Sequence, residues 1–248
     1  VTSKHNKQLL PTYDVFDEYR YFEPAHEVQC IEYLGEKIAL TICEDLWNIE
    51  GKEIYPSSPM EKLHLESPDF MINIAASPFA MSQTSSRDEV LKWNTKKYNL
   101  PVFYVNHVGA QTELIFDGGS CVYNKQGNIV SQLPFFEEYF SIFDTKDLKV
   151  KENRTALSKY EKMEAAIVLG IKDYFKKLNF KTATLGLSGG IDSALTLTLA
   201  VKALGKKNVS PILMPSQFSS DHSISDSTAL CKNLGCNYQT IEIEKIYK

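Results

Sequence analysis

The stretch 185–193, Leu-Gly-Leu-Ser-Gly-Gly-Ile-Asp-Ser, constrains this chain more than any other. An apolar run ends in a glycine pair, and a helix-forming run begins directly behind it. That order suits a β-strand turning sharply into a helix, because Gly189 and Gly190 supply backbone that can bend and come close to a ligand. Asp192 and Ser193 open the helix, whose free N–H groups and positive dipole end favour an anion. A phosphate chain is the ligand most consistent with this geometry. No lysine follows the glycines, so the Walker pattern is absent, which argues against cleavage between β and γ phosphates.

The surroundings of the turn alternate in type. Residues 160–178 carry apolar side chains at helical spacing, among them Met163, Ala166, Ile167, Ile171 and Phe175. Residues 182–187 read as a strand, 192–204 as a helix ending at Gly205, and 209–214 as a strand stopped by Pro215. A helix over 221–234, ending at Gly235, and a strand over 238–243 follow. Such alternation implies a parallel α/β sheet, in which ligands sit at the carboxyl ends of the strands. The glycine turn falls there.

The earlier residues are richer in strands. Glu36–Ile42, Phe70–Ala75 and 101–106 are apolar or β-branched runs, with a helix predicted over 86–98. Runs 116–123 and 128–132 flank Asn124-Lys125-Gln126-Gly127, a hairpin turn. The charged, aperiodic stretch 146–154 marks a linker, which gives domains 1–149 and 158–248 joined by 150–157. A length of 248 residues fits one large domain or two modest ones. With 43% hydrophobic and 23% charged residues, the expectation is a soluble globular protein. The net charge of −4 offers no electrostatic case for nucleic acid or a membrane surface. No apolar run approaches the roughly 18 residues a membrane span needs. Five cysteines, an odd number without a C-x-x-C pair, point to reduced thiols in the cytoplasm. Val1 and Lys248 carry no start or stop signal, so the chain reads as part of a longer one.

Cys43 closes the strand Glu36–Ile42 and precedes Glu44-Asp45-Leu46-Trp47. A cysteine there either faces a pocket or serves as a small buried hydrophobe, the commoner role. Its company favours the pocket: His5-Asn6-Lys7-Gln8-Leu9-Leu10-Pro11-Thr12-Tyr13 stands upstream, and Asn73-Ile74-Ala75-Ala76-Ser77-Pro78-Phe79 ends another strand.

K-x-x-L-P-x-Y, I-C-E-D-x-W and the serine before Pro-Phe, in that order, resemble the nitrilase-type glutamine amidases. S-G-G-x-D-S resembles the pyrophosphate loop of the ATP pyrophosphatases, with six matching positions. Together, and with 214–235, they are similar to the glutamine-dependent NAD synthetase family. The resemblance implies an α/β chain: a nitrilase-like α-β-β-α sandwich, then a parallel-sheet ATP-pyrophosphatase domain, both incomplete here. It implies a Glu–Lys–Cys amidase site with Cys43 as nucleophile and Lys7 as its cationic partner. The family's glutamate base lies upstream of its lysine, and none of the six residues before Lys7 is acidic. Glu18 and Glu44 are the nearest acidic alternatives by sequence, and neither is assigned that role. Tyr13, Ser77 and Glu44 would hold glutamine, although Tyr13 serves equally as a packed aromatic and Glu44 equally as an ion-paired side chain. The family's basic residue six positions after the serine is Gln83 here, so Arg87 takes its place in binding the substrate carboxylate, its alternative being a surface helix arginine.

In the second half, Gly186, Leu187, Ser188, Gly189, Gly190, Ile191, Asp192 and Ser193 would wrap the phosphates of ATP. Asp192 would help hold Mg²⁺, a role compatible with capping the helix. Met214 and Ser216 would border the adenosine, Met214 being otherwise a core residue. The implied reaction is ATP-dependent amidation of deamido-NAD to NAD through an adenylate, with ammonia from glutamine. Deamido-NAD-binding residues are expected after Lys248, and family members assemble as homo-oligomers. The alternatives are another glutamine-dependent ATP-pyrophosphatase amidotransferase, a nitrilase or amidase with an unrelated partner domain, and a non-catalytic nucleotide-binding scaffold.

Overall fold

A computed structural model describes residues 3–150, 157–217 and 219–243, with the Asp221 side chain left out. The chain divides into two compact units, residues 1–109 with 116–157, and residues 110–115 with 158–248. Of the stretch read as a linker, residues 151–156 lie outside the described residues.

In the first unit, β1 (Ile31–Tyr33) and β2 (Glu36–Ile42) form a hairpin around Leu34-Gly35, both at positive φ. Then come α1 (Pro59–Leu63), β3 (Phe70–Ala75), α2 (Gln83–Tyr98) and β4 (Val102–Asn106). β5 (Val108–Gln111) pairs with β6 (Leu114–Asp117), a hairpin whose residues 110–115 are assigned to the second unit, and β7 (Cys121–Tyr123) pairs with β8 (Ile129–Gln132). The main sheet runs β1-β2-β3-β4-β7-β8, parallel across β2, β3 and β4 and antiparallel elsewhere.

Strand alternation separates two faces. Ala39, Met71, Val102, Tyr104 and Tyr123 share one core with Met60 and Leu63 of α1 and Val90 and Leu91 of α2. On the other face Ile74 and Val105 are each 50% exposed. The six-stranded sheet thus carries its helical layer on one face. α2 buries Arg87, Val90, Leu91, Asn94, Thr95 and Tyr98, a helical stripe in which polar residues are placed among the apolar ones. The expected continuous strand 116–123 is broken, because Gly118 and Gly119 adopt φ 63° and 61° between β6 and β7. No L side chain holds that conformation without strain, so the glycine pair turns the chain.

In the second unit, α3 (Lys159–Lys177) starts with a Ser158–Glu161 capping box. β9 (Ala183–Gly186), α4 (Ile191–Leu204), β10 (Val209–Leu213), α5 (Asp221–Leu234) and β11 (Gln239–Thr240) follow. The sheet order is β11-β10-β9, all parallel. Leu187, Leu197, Ala200, Val209, Leu213, Cys231 and Cys236 form its core. The last strand is shorter than the pattern 238–243 predicts, and residues 244–248 lie outside the described set. Among the described residues no helix is long and apolar enough to cross a membrane.

Candidate active site

The three parallel strands of the first unit end side by side. Cys43 follows β2, Ala76 and Ser77 follow β3, and Asn106 closes β4. Ligands gather at such carboxyl ends. Cys43 opens a 3-10 turn, Cys43–Leu46, and holds φ 46°, a conformation that costs a non-glycine residue about 1 kcal/mol or more. The strain is held from three sides. Asn73 donates through Nδ2 to Thr41 Oγ1 at 3.0 Å and to the Cys43 carbonyl at 3.3 Å. Asn94 of α2 donates to the Leu46 carbonyl at 2.9 Å. Asp45, fully buried, accepts from the Ile42 N–H at 2.9 Å.

Lys7, Glu18 and Cys43 line a cleft of about 1300 Å³ together with Ile42, Ile74 and Asn106. Lys7 Nζ donates to both oxygens of Glu18, at 2.7 and 2.5 Å. Sequence reasoning set Glu18 aside, yet it is the residue that holds Lys7. The signal was present only as an acidic residue near the lysine, and nothing local shows that the chain folds back. Burial pushes the Cys43 thiol above its ordinary range. The Lys7 charge and the Ala76 N–H pull it down, while the Glu44 and Glu18 charges push it up.

Glu44 is buried and accepts from the Tyr13 hydroxyl at 2.8 and 2.9 Å, and from the Tyr55 hydroxyl at 3.3 Å. Burial raises its pKa, and the two phenols oppose that. Tyr13 is therefore a hydrogen-bonding partner of Glu44, with 40% of its surface exposed. Ser77 is buried, its N–H bonded to Asn106 Oδ1 at 2.9 Å and its hydroxyl accepting from Gln83 at 3.3 Å.

Arg87 is buried, which sets aside the alternative of a surface helix arginine. Its guanidinium is buried, donating to Asp117 at 3.0 and 3.4 Å and to Ser77 Oγ at 3.4 Å, and it lies 5.5 Å from the Tyr104 ring centre. Asp117 also accepts from Asn106 at 3.2 Å. An internal carboxylate takes both terminal nitrogens of the arginine, while its Nε has no hydrogen-bond partner among the described residues.

The glycine turn of the second unit joins β9 to α4. Gly189 has φ 82°, and a Cβ there would fall 2.6 Å from the Ser223 backbone. A Cβ on Gly186 would meet the tip of Met214 at 3.0 Å. The turn is bonded to itself. Ser193 Oγ accepts from the Ser188 N–H at 3.3 Å and donates to the Gly190 carbonyl at 3.0 Å. The Gly190 N–H donates to Ser188 Oγ at 3.3 Å. Ile191, Asp192 and Met214 are exposed. Leu187 departs from the group: its side chain is in the core and its N–H goes to the Ile212 carbonyl at 2.9 Å. Among the described residues no cluster of three or more His, Cys, Asp or Glu side chains could hold a metal.

Residues 163–248 match a family model described as NAD synthase. A Synechocystis protein named glutamine-dependent NAD(+) synthetase is 45% identical over 249 residues, covering 97% of this chain and 45% of its own length. The chain is homologous to the glutamine-dependent NAD(+) synthetases. The one from Acinetobacter baylyi is 36% identical over 250 residues, covering 99% of this chain and 45% of its own. A solved synthetase from Acinetobacter baumannii, in complex with adenosine diphosphate, has a TM-score of 0.89 at 37% identity, covering 98% of this chain and 45% of that one. Another from Cytophaga hutchinsonii has a TM-score of 0.75 at 17% identity, a likeness of fold alone. The α/β class expected of this chain is the fold of these synthetases. The chain spans a little under half the length of the relatives it matches.

Proposed function

We propose that the chain carries the glutamine amidase site and the first part of the synthetase site of a C–N ligase that makes NAD from deamido-NAD, ATP and glutamine. The observation that carries this reading is the single cleft shared by Cys43 at a strained strand end and Lys7 fixed by Glu18. In this reading residues 1–149 form the amidase domain and 158–248 the start of the synthetase domain. The family match over 163–248 and the division of the chain at 157 support that boundary.

The amidase step is nucleophilic. The Cys43 sulfur bonds to the side-chain amide carbon of glutamine, and the carbon–nitrogen bond breaks. Ammonia leaves with the proton it gains, and water then cleaves the thioester to glutamate. Burial keeps the thiol protonated at neutral pH, so a base must take its proton as the attack occurs. The family's base is a glutamate upstream of its lysine, and Glu18 serves here to hold Lys7. Lys7 would stabilise the oxyanion. Glu44, with its oxygens fixed by Tyr13 and Tyr55, offers a carboxylate for the substrate ammonium. Ser77, one residue beyond Ala76 of the cleft wall, would help hold the glutamine.

The second site would bind ATP. The turn from Gly186 through Ser193 presents backbone at a helix start, the arrangement that receives phosphates. Met214 lies exposed beside it for the adenosine. The relative solved in complex with adenosine diphosphate supports nucleotide binding in general. Asp192 is an exposed carboxylate, which suits Mg²⁺ bound jointly with nucleotide phosphates, the usual manner for that ion. When bound, the ion would neutralise phosphate charge. The nicotinate carboxylate would attack the α-phosphate, releasing pyrophosphate, and ammonia would then displace AMP. A homo-oligomer in the cytoplasm completes the reading, and the odd number of cysteines fits a reducing compartment.

Glutamine-driven NAD formation measured with Cys43→Ala tests this. Glutamine use should fall at least about 10³-fold while ammonia-driven synthesis stays within about twofold, because the nucleophile serves only the first site. Loss of both activities in a folded variant would contradict the division of roles.

A further inference from the structure

We propose that Asp45 is a positioning residue of the amidase site, a buried carboxylate that ties the segment bearing Lys7 to the strand end bearing Cys43. The proposal rests on the reading of those two residues given above. Lys7 lies in residues 3–12, which have no helix or strand. A lysine on irregular backbone has no fixed aim of its own, so something distant must hold it. Asp45 Oδ1 accepts from the Gln8 N–H at 3.1 Å and from the Leu9 N–H at 2.8 Å, the two residues after Lys7. Its Oδ2 accepts from the Ile42 N–H at 2.9 Å, the residue before Cys43. One carboxylate therefore spans segments some 36 positions apart in the chain. The Lys7 carbonyl, in the same peptide group as the Gln8 N–H, accepts from the Ala25 N–H at 2.9 Å.

The chemistry requires an aspartate. Three N–H donors need acceptors on two atoms facing different ways, and an asparagine offers only one oxygen. Its amide nitrogen would confront an N–H. An apolar replacement would leave all three donors buried without partners. The carboxylate is fully buried, and burial raises its pKa against the pull of the Leu9, Ile42 and Gln8 N–H groups. A buried charge is weak evidence for stability as such. Its position between the two reactive residues gives it a different use, which is to set the approach of the Lys7 ammonium to the sulfur.

The test is Asp45→Asn, assayed by glutamine hydrolysis and by the pH dependence of Cys43 alkylation with iodoacetamide, the site confirmed by mass spectrometry. Release of Lys7 should raise the alkylation midpoint by about half a unit or more, since the lysine charge lowers the thiol pKa. It should also lower kcat about tenfold or more with the KM for glutamine within about threefold, as expected when transition-state stabilisation alone is lost. A folded variant with unchanged midpoint and unchanged kcat overturns the proposal. If the variant does not fold, amide exchange in the unmodified protein decides. Slow exchange at Gln8, Leu9 and Ile42 together supports the tie, and unprotected Gln8 and Leu9 amides overturn it. An unmodified protein that hydrolyses no glutamine would instead sink the amidase reading, so the two failures are told apart.

Discussion

The thiol site and the glycine turn occupy the same station in their respective sheets, the carboxyl end of a parallel strand, and are held there by opposite means. Around Cys43 the work is done by buried side chains that reach across the chain. Asp45 binds Gln8 and Leu9, Asn94 binds Leu46, and Arg87 binds Asp117. Around Gly189 the work is done by backbone conformation and by serines bonded within five residues of one another. The first is a preorganised side-chain site that leaves little to adjust on binding. The second offers exposed groups and a self-satisfied loop whose N–H groups can be handed over to a ligand.

The comparison predicts where substitutions hurt. The largest effect belongs to Arg87→Ala. It strands Asp117 in the interior and should lower stability by about 3–5 kcal/mol, read by denaturant unfolding. A stable variant with only a raised KM for glutamine would place Arg87 among the ligands. Next comes Gly189→Ala, which forces a side chain into φ 82° against the Ser223 backbone. It should cost about 2–3 kcal/mol and weaken nucleotide binding in calorimetry, and unaltered binding would mean the loop yields elsewhere.

Glu18→Gln should give opposite signs in two assays. Glutamine hydrolysis should fall about 10–100-fold as Lys7 loses its partner. Alkylation of Cys43 at neutral pH should quicken, because Asp45 still ties the Lys7 segment in place while the Glu18 charge that raises the thiol pKa is gone. Tyr13→Phe should be milder, raising the KM for glutamine about tenfold through the lost bond to the Glu44 carboxylate, with kcat little changed. The smallest signal is in stability against pH. The folded thiol has its pKa raised, so the stability it contributes is fully present below the unfolded thiol value of about 8.5. That contribution is lost as pH rises through the folded value. Cys43→Ser, which does not titrate there, should flatten the decline in melting temperature above that point.

What could be read in the sequence follows the same division. The turn at Gly189 was legible because its cause is local: a strand, two glycines and a helix start adjoin. Cys43 was legible for a similar reason, as a cysteine closing an apolar strand before a polar turn. Glu18 and Asp45 were not, because their partners are set by folding and not by spacing. The pairing of Arg87 was not legible because Asp117 is thirty residues away. The break in 116–123 was visible in principle, since paired glycines inside a strand pattern mark a turn. Leu187 belonged to the motif by adjacency, and alternation along the strand sends its side chain inward.

The left-handed backbone at Cys43 carries an evolutionary consequence. Glycine at that position would relax the chain and make the fold hardier while removing the sulfur. Selection for robustness alone would therefore work against this residue. Its persistence in any lineage would record continuing demand for turnover.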